Sequence, residues 1–249
     1  MEKLPNRSRK ETRELESVKI SIICSVFNAE PFLGSYLRSI EQQRLNEFEI
    51  IFAESKSTDR SLEILTAYKP RHGITKKLIQ FKERVGIYKA WNAAIAASTG
   101  TWIINYNCDD HLFPEALTIL KTAAEQEAEH DLIYTPCFIS DSPTHKPVTG
   151  YSDWRDANAP GALAAGCCCG PFPIARKEQY FQNGLFREDL ISSGDYEMWC
   201  RLYRAGTKML KLETPIGTYY RNPTGISTTP DNLTLRSKED LIARASLLV

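Results

Sequence analysis

The sequence predicts an α/β fold, a three-layer sandwich whose mostly parallel central sheet carries helices on both faces. Two observations predict it. Short apolar runs rich in β-branched residues, such as Lys19-Ile20-Ser21-Ile22-Ile23-Cys24-Ser25-Val26-Phe27, read as strands buried on both faces. Strand-like and helix-like patterns then alternate about four times before residue 140, at the spacing of strand-helix-strand crossovers.

Composition sets the bounds. With 249 residues, the chain suits one α/β domain and leaves room for two. Hydrophobic residues make up 42% and charged residues 25%, so a core of ordinary size forms and disorder is confined to the ends. Lys+Arg and Asp+Glu both number 31, and a formal charge of zero gives no global field for nucleic acid or an anionic membrane. No apolar run approaches the ~20 residues that span a bilayer, and the polar start of the chain is no signal peptide. A cytoplasmic protein is expected, with peripheral membrane contact left open. The seven cysteines contain no Cys-x-x-Cys pair. Cys167, Cys168 and Cys169 are consecutive and alternate faces in extended chain, so buried fillers in a reducing compartment are expected rather than a metal site.

Residues 1–17 are charged and aperiodic, and read as a flexible leader ahead of a folded unit over 18–249. Pro31 suits a first helical turn, after which Phe32, Leu33, Tyr36, Leu37 and Ile40 recur at helical spacing. Phe48 to Ala53 forms the second strand. Ser57-Thr58-Asp59 supplies capping residues for a helix carrying Leu62, Ile64, Leu65 and Tyr68. Lys77 to Lys82 is a third short strand, and Gly86 to Ala97 is an Ala-rich helix that Gly100 closes. The run from Thr101 then forms a strand leading to Asp109. Pro114 to Ala128 reads as a helix and Asp131 to Phe138 as one strand. Ser140 to Pro173 is a long loop system, followed by a short helix over Arg176 to Phe181. Tyr196 to Tyr203 is a helix with Met198, Trp199, Leu202 and Tyr203 on one side. Two short strands between Met209 and Tyr220 and a helix from about Leu235 complete the chain.

Ligands of open parallel sheets collect outside the carboxyl ends of the strands. Ser25 to Asn28, Glu54 to Asp59 and Asn107 to Asp110 all fall there. Asp109-Asp110 reads either as a solvated turn or as a pair of hard oxygen ligands for Mg²⁺ or Mn²⁺. Neither a dinucleotide fingerprint nor a P-loop occurs, so a bound diphosphate needs a metal. Phe27 is either core or a platform for a nucleobase. Glu54 is either a solvated charge or an acceptor for a base N–H edge. Asp195 is either a first-turn acid stabilising its helix by ~1 kcal/mol or a general base. Glu197, two residues along, turns to the other face.

Together these residues resemble the inverting family 2 glycosyltransferases of the Rossmann-like GT-A fold, and a bacterial subgroup among them. Ser21 to Glu30 is similar to the opening strand and nucleotide loop, and Glu49-Ile50-Ile51 through Ser57-Thr58-Asp59 to the second strand and its acidic loop. Gly86 to Asn92 followed by Asn107-Cys108-Asp109-Asp110 resembles the helix and metal motif. Gly170 to Lys177 and Ser193 to Trp199 resemble the acceptor segment and catalytic-base helix. The resemblance implies a donor-binding half over residues 18–110 and an acceptor half over 111–249. It places Ser25, Phe27, Asn28, Glu54, Asn92, Asn107 and Asp109 on the nucleotide sugar, Asp109 and Asp110 on the metal, and Asp195 as the base. The implied reaction moves a sugar from a UDP-, dTDP- or GDP-sugar to a hydroxyl of a glycan, lipid-linked or small-molecule acceptor, as in bacterial polysaccharide or glycoconjugate synthesis. The other class in contention is a non-catalytic nucleotide-sugar binder or assembly partner that keeps the fold. The sequence departs from the family pattern at Ser25, where Pro is common, at Glu54-Ser55, where two Asp are common, and at Asn107 and Lys89, where Asp is common.

Overall fold

A computed structural model describes residues 17–248, without the side chain of Asp231. The expected leader over residues 1–17 lies outside the described residues apart from Ser17. The chain opens with β1 (Ile20–Val26), α1 (Glu30–Glu41), β2 (Phe48–Glu54), α2 (Ser61–Ala67), β3 (Ile74–Gln80), α3 (Ile87–Ala97) and β4 (Trp102–Asn105). It continues through β5 (His111–Leu112), α4 (Ala116–Gln126), β6 (Leu132–Tyr134), β7 (Cys137–Ser140), β8 (Gly150–Ser152), α5 (Ala162–Ala165) and β9 (Ile174–Arg176). It closes with α6 (Lys177–Gln182), α7 (Gly194–Arg204), β10 (Met209–Lys211), β11 (Gly217–Tyr220) and α8 (Pro230–Ala245).

Seven of these strands form one sheet in the order β10-β6-β9-β4-β1-β2-β3. The four strands from β4 to β3 are mutually parallel, β10 is parallel to β6, and β9 runs antiparallel between β4 and β6. A second sheet has the order β5-β11-β7-β8.

The period of two along each strand builds the three layers. In β1 and β2, Ile22, Cys24, Ile50 and Phe52 join one core with Leu33, Tyr36 and Ile40 of α1 and Leu117 and Leu120 of α4. Ile23, Ile51 and Ala53, one residue out of phase, join the opposite core with Trp91, Ala94 and Ile95 of α3 and Trp199 and Leu202 of α7. Neither face of β1 or β2 meets water, which is why their sequences are near-continuous apolar runs. Each fully buried Ile or Phe stabilises the fold by roughly 1.5–3 kcal/mol.

One polar exception is Glu49, 5% exposed. Its carboxylate accepts the Ser21 hydroxyl (2.7 Å) and the Thr99 N–H (2.8 Å), and pairs with the Lys77 ammonium at 2.6 Å. These partners hold its carboxyl below the usual range although burial, the largest influence, pushes upward.

The fold follows the sequence-based expectation of class, and several elements differ from it. The strand expected over Asp131 to Phe138 divides between the two sheets as β6 and β7, with Thr135-Pro136 between them; Pro136 has no N–H to continue a ladder. Strand β9 lies at the end of the expected loop system, and α6 begins immediately after it. Gly100 does not close α3 through a left-handed turn. It admits β1 instead: a Cβ there stands 2.4 Å from Ser21 Oγ and 2.8 Å from the Lys19 carbonyl oxygen. Tyr203 faces outward, 37% exposed, while Met198, Trp199 and Leu202 are buried as expected. The α8 helix starts at Pro230, ahead of Leu235. All seven cysteines are free thiols, with Cys168 and Cys169 buried and Cys167 partly so.

Candidate active site

The loops after β1 and β2 are tied to each other before either helix begins. Asn28, at φ 49°, donates its N–H to Ser57 Oγ (3.0 Å) and accepts the Thr58 N–H at 2.8 Å. Asn tolerates the left-handed region better than most residues. Ser57-Thr58-Asp59 caps across the chain more than along it. Ser57 and Thr58 bond Asn28, whereas Asp59 accepts the N–H of Glu30 at the start of α1 and that of Ser61 at the start of α2. Those bonds hold its carboxyl below the usual range against the effect of burial.

Of the expected nucleotide residues, Ser25 is half-buried one residue before the end of β1. Phe27 is half-buried with the Arg84 guanidinium 4.1 Å from its ring centroid, a cation–π contact at the strand tip. Glu54 is not a solvated loop charge. It is 1% exposed, ends β2, and accepts the Ser57 N–H, so it shapes the loop it begins. Asn92 does not present a free amide. Its Nδ2 donates to the Phe186 carbonyl (2.9 Å) and Glu188 Oε1 (3.0 Å), and its Oδ1 accepts the Phe186 N–H at 3.0 Å. That commitment anchors the 186–188 segment.

The β4 strand ends at Asn105, short of the expected Asp109; the fully buried Tyr106 still donates its N–H to the Ile23 carbonyl of β1, and the chain turns over residues 107–110. The Tyr106 hydroxyl accepts the Leu112 N–H (3.1 Å) and donates to the Asp110 carbonyl (3.3 Å), closing the 107–110 turn over the phenol. Asn107 keeps a buried Oδ1 with no partner among the described residues. Asp109 is partly buried and accepts the Asn222 amide at 3.1 Å, while its carbonyl meets His145 Nε2 at 2.8 Å. Asp110 is 2% exposed and accepts the Tyr220 N–H of β11 at 3.0 Å. Neither side-chain partner carries a positive charge.

The electrostatic result is strain in the ionised pair. Burial raises the Asp109 carboxyl, opposed by the Asn222 amide. Burial and then the Asp109 charge push Asp110 well above its ordinary range, opposed by the Tyr220 N–H. Burial also lowers His111 to about 4, with His145 and Lys146 adding to the effect. Two adjacent carboxylates in this setting form a hard-oxygen donor set that a divalent cation fits, since the cation supplies the charge the protein withholds.

Asp195 lies in the first turn of α7. Its Oδ1 accepts the Tyr196 N–H at 2.8 Å, and burial raises its carboxyl against that N–H and the Arg236 charge. Gly194 donates its N–H to the Tyr88 hydroxyl at 2.7 Å, and Tyr88 lies in the first turn of α3. That contact places the start of α7 beside the helix leaving the carboxyl end of β3. Arg236 acts on Asp195 and also on Tyr219, which feels Asp110 and Asp109, so Asp195 and the carboxylate pair share one electrostatic neighbourhood. Glu197 points elsewhere, buried against Arg201 at 2.9 Å.

Two other features carry no such chemistry. Glu127, Glu129 and His130 converge, but Glu127 meets His130 at 3.6 Å and Glu129 pairs with Lys208 at 2.7 Å. A concavity of about 410 Å³ near Leu163, Tyr203, Arg204 and Leu247 contains none of the expected site residues. Sequence reasoning missed Asn105, 3% exposed with both amide atoms unpartnered, and Asn222, Tyr220 and His145, which contact the acidic turn from other parts of the chain. Asn105 was legible as a polar break in an apolar strand. The other three carry no local signal.

Comparison with known proteins gives a consistent result. The profile of the family described as "Glycosyl transferase family 2" matches residues 21–197. A "PGL/p-HBAD biosynthesis glycosyltransferase" of Mycobacterium bovis (strain BCG / Pasteur 1173P2) is 33% identical over 116 residues, covering 46% of this chain and 44% of that protein. The "Putative glycosyltransferase EpsE" of Bacillus subtilis is 25% identical over 199 residues, covering 78% and 70%. Among solved structures, S. aureus TarS 1-349 in complex with UDP superposes with a TM-score of 0.70 at 18% identity, covering 90% of this chain and 65% of that one. A mannosyltransferase from Pyrobaculum calidifontis in complex with GDP-Man and Mn²⁺ gives 0.68 at 16%, covering 93% and 64%. The matched region is under half the length of the mycobacterial relative.

Proposed function

Because the chain belongs to glycosyl transferase family 2, we propose that it is a cytoplasmic, metal-dependent, inverting glycosyltransferase that moves a sugar from a nucleoside-diphosphate donor to an acceptor hydroxyl. The observation that carries this reading is the Asp109-Asp110 pair: two adjacent carboxylates, Asp110 buried and Asp109 partly so, with uncharged hydrogen-bond partners, beside the carboxyl ends of the parallel strands. Asp110 and Asp109 would hold Mg²⁺ or Mn²⁺, which when bound supplies positive charge to offset that on the departing diphosphate.

This chain's own residues do the rest. Phe27, with Arg84 on its ring, offers a face for the nucleobase, and Ser25, Asn28 and Asn107 line the loops that receive the nucleoside. Glu54 fixes the second loop through Ser57. Asp195 takes the proton of the acceptor hydroxyl as that oxygen bonds to the anomeric carbon. The carbon–oxygen bond to the diphosphate breaks with its electron pair leaving on the nucleoside diphosphate, and attack from the opposite face inverts the centre. A carboxyl raised by burial suits a base, because proton affinity nearer the working pH strengthens the pull. Residues 18–110 form the donor half and 111–249 the acceptor half, with a glycan, a lipid-linked sugar or a small molecule as acceptor. Seven free thiols suit a reducing compartment. No helix among the described residues is long and apolar enough to cross a membrane.

The experiment is a thermal-shift panel of UDP-, dTDP- and GDP-sugars with Mn²⁺ or with chelator. A native-state ligand raises Tm by mass action. At least one donor should raise Tm with Mn²⁺ and lose that effect with chelator. A panel with no metal-dependent shift contradicts the proposal.

A further inference from the structure

Helix α7 does not cap its own beginning. Its N-cap residue, Ser193, makes no side-chain capping bond within the helix, because the Ser193 hydroxyl donates to Asp240 Oδ1 of α8 at 2.6 Å. The turn before α7 is held from the same helix. Glu239 Oε1 accepts the Ile191 N–H at 2.8 Å, and Oε2 accepts the N–H groups of Ser192 (2.7 Å) and Ser193 (2.8 Å). Three consecutive backbone donors thus converge on one carboxylate that is 3% exposed. The next N–H, of Gly194, goes to Tyr88 Oη. Asp195 follows immediately.

We infer that Glu239 is the positioning residue of the catalytic base: α8 caps α7 from outside and sets where the Asp195 carboxylate stands. The inference rests on Asp195 being the base. Charge-assisted bonds from successive N–H groups are strong and directional, and an anion at a helix start also meets the positive end of the helix dipole. Asp240 and Arg236 lie on the same face of α8 at neighbouring helical spacings, so one face fixes the turn, holds the cap hydroxyl and acts electrostatically on the base. The far end of the same helix is tied by the Ser246 hydroxyl to Glu197 Oε1 at 3.1 Å, which pins α7 at a second point. Helix α8, with Glu239 and Asp240, lies beyond residues 21–197, the segment the family profile matches, whereas the turn it holds lies inside that segment.

A displacement of an ångström at a reacting group costs on the order of 100-fold, whereas donor binding across the cleft does not depend on the base. The test compares wild type, Glu239→Gln, Glu239→Ala, Asp195→Asn and the Asp195→Asn/Glu239→Ala pair. The readout is Mn²⁺-dependent release of nucleoside diphosphate from whichever UDP-, dTDP- or GDP-sugar the wild type hydrolyses fastest, with UDP or GDP affinity measured in parallel. Measurements are made below each variant's Tm.

Glu239→Ala should lower kcat roughly 10–100-fold with nucleotide Kd within about 2-fold. Glu239→Gln, which keeps one acceptor oxygen, should lose less and serves where the alanine variant does not fold. In the Asp195→Asn background the alanine change should add no further loss, since both changes act through one group. Wild-type kcat in both Glu239 variants, a loss confined to Kd, or an equal loss in the Asp195→Asn background overturns the inference. Near wild-type turnover in Asp195→Asn alone overturns the base assignment instead, so the two failures are distinct.

Discussion

Gly194→Ala tests how tightly the turn that carries Asp195 is built. A Cβ at Gly194 stands 2.6 Å from Tyr88 Cε2, 2.7 Å from Cζ and 2.9 Å from Cδ2. The Tyr88 ring is 3% exposed and packs 5.6 Å from Trp91 and 5.8 Å from Phe186, centroid to centroid, so it has little room to retreat. Overpacking of this kind costs about 1–3 kcal/mol. Displacing the ring also breaks the bond from the Gly194 N–H to the Tyr88 hydroxyl, adding about 0.5–1.5 kcal/mol. The sum, about 1.5–4.5 kcal/mol, corresponds to a Tm lower by roughly 3–18 °C for a chain of this size. Thermal denaturation followed by circular dichroism reads the shift, and donor turnover below Tm reads the movement of Asp195. Replacing Tyr88 by Leu in the same chain removes the obstructing ring edge and should return part of the lost Tm. A Gly194→Ala variant with unchanged Tm and unchanged turnover would refute the reasoning, because the turn would then have slack the distances deny.

Other outcomes follow from the same geometry. Asp110→Ala should weaken Mn²⁺-dependent nucleotide binding at least about 10-fold in isothermal titration, while metal-free binding stays as it is; equal loss with and without metal argues against ligation. Glu49→Ala leaves Lys77 and the Ser21 and Thr99 donors without their buried acceptor, and should cost about 3–5 kcal/mol by urea denaturation, as breaking a buried pair does. Glu49 and Asp59 both have depressed carboxyls, so their stabilisation is complete above their unfolded values of 4.5 and 3.8 and is lost as the pH falls through the lower folded values. Stability of the wild type should therefore drop with acid below about pH 4.5, and Glu49→Gln should flatten that slope; an unchanged slope in the variant removes Glu49 from the account.

How far the sequence carries this account depends on how local each signal is. Strands β1 and β2 were readable because both faces are buried and every position in the run reports it. Asp109-Asp110 and Asp195 stood out as candidates because each sits where one element stops and another begins. Strand β9 was not, since it has three residues, lies between β4 and β6, and follows Pro171 and Pro173 in a stretch that reads as loop. Pro136 gave the signal that Asp131 to Phe138 divides, but only the tertiary structure says that the halves join different sheets. Asn92 and Glu54 show the same limit at the site. Their residue types fit a ligand, and their hydrogen bonds show that Asn92 anchors a loop 94 residues away and that Glu54 builds the turn beside it. Glu239 carries no local signal, because the three N–H groups it collects lie 46 to 48 residues earlier.

The most direct measurement is sugar transfer by Asp195→Asn, with donor affinity and product stereochemistry recorded in the same preparations. With the donor found in the thermal-shift panel, the variant should bind it as wild type does in Mn²⁺ and turn it over roughly 10²–10⁴-fold more slowly, and wild-type product should carry the anomeric configuration opposite to the donor's. Near-normal turnover by the variant, or retention of configuration by wild type, would contradict the single displacement at the centre of this account.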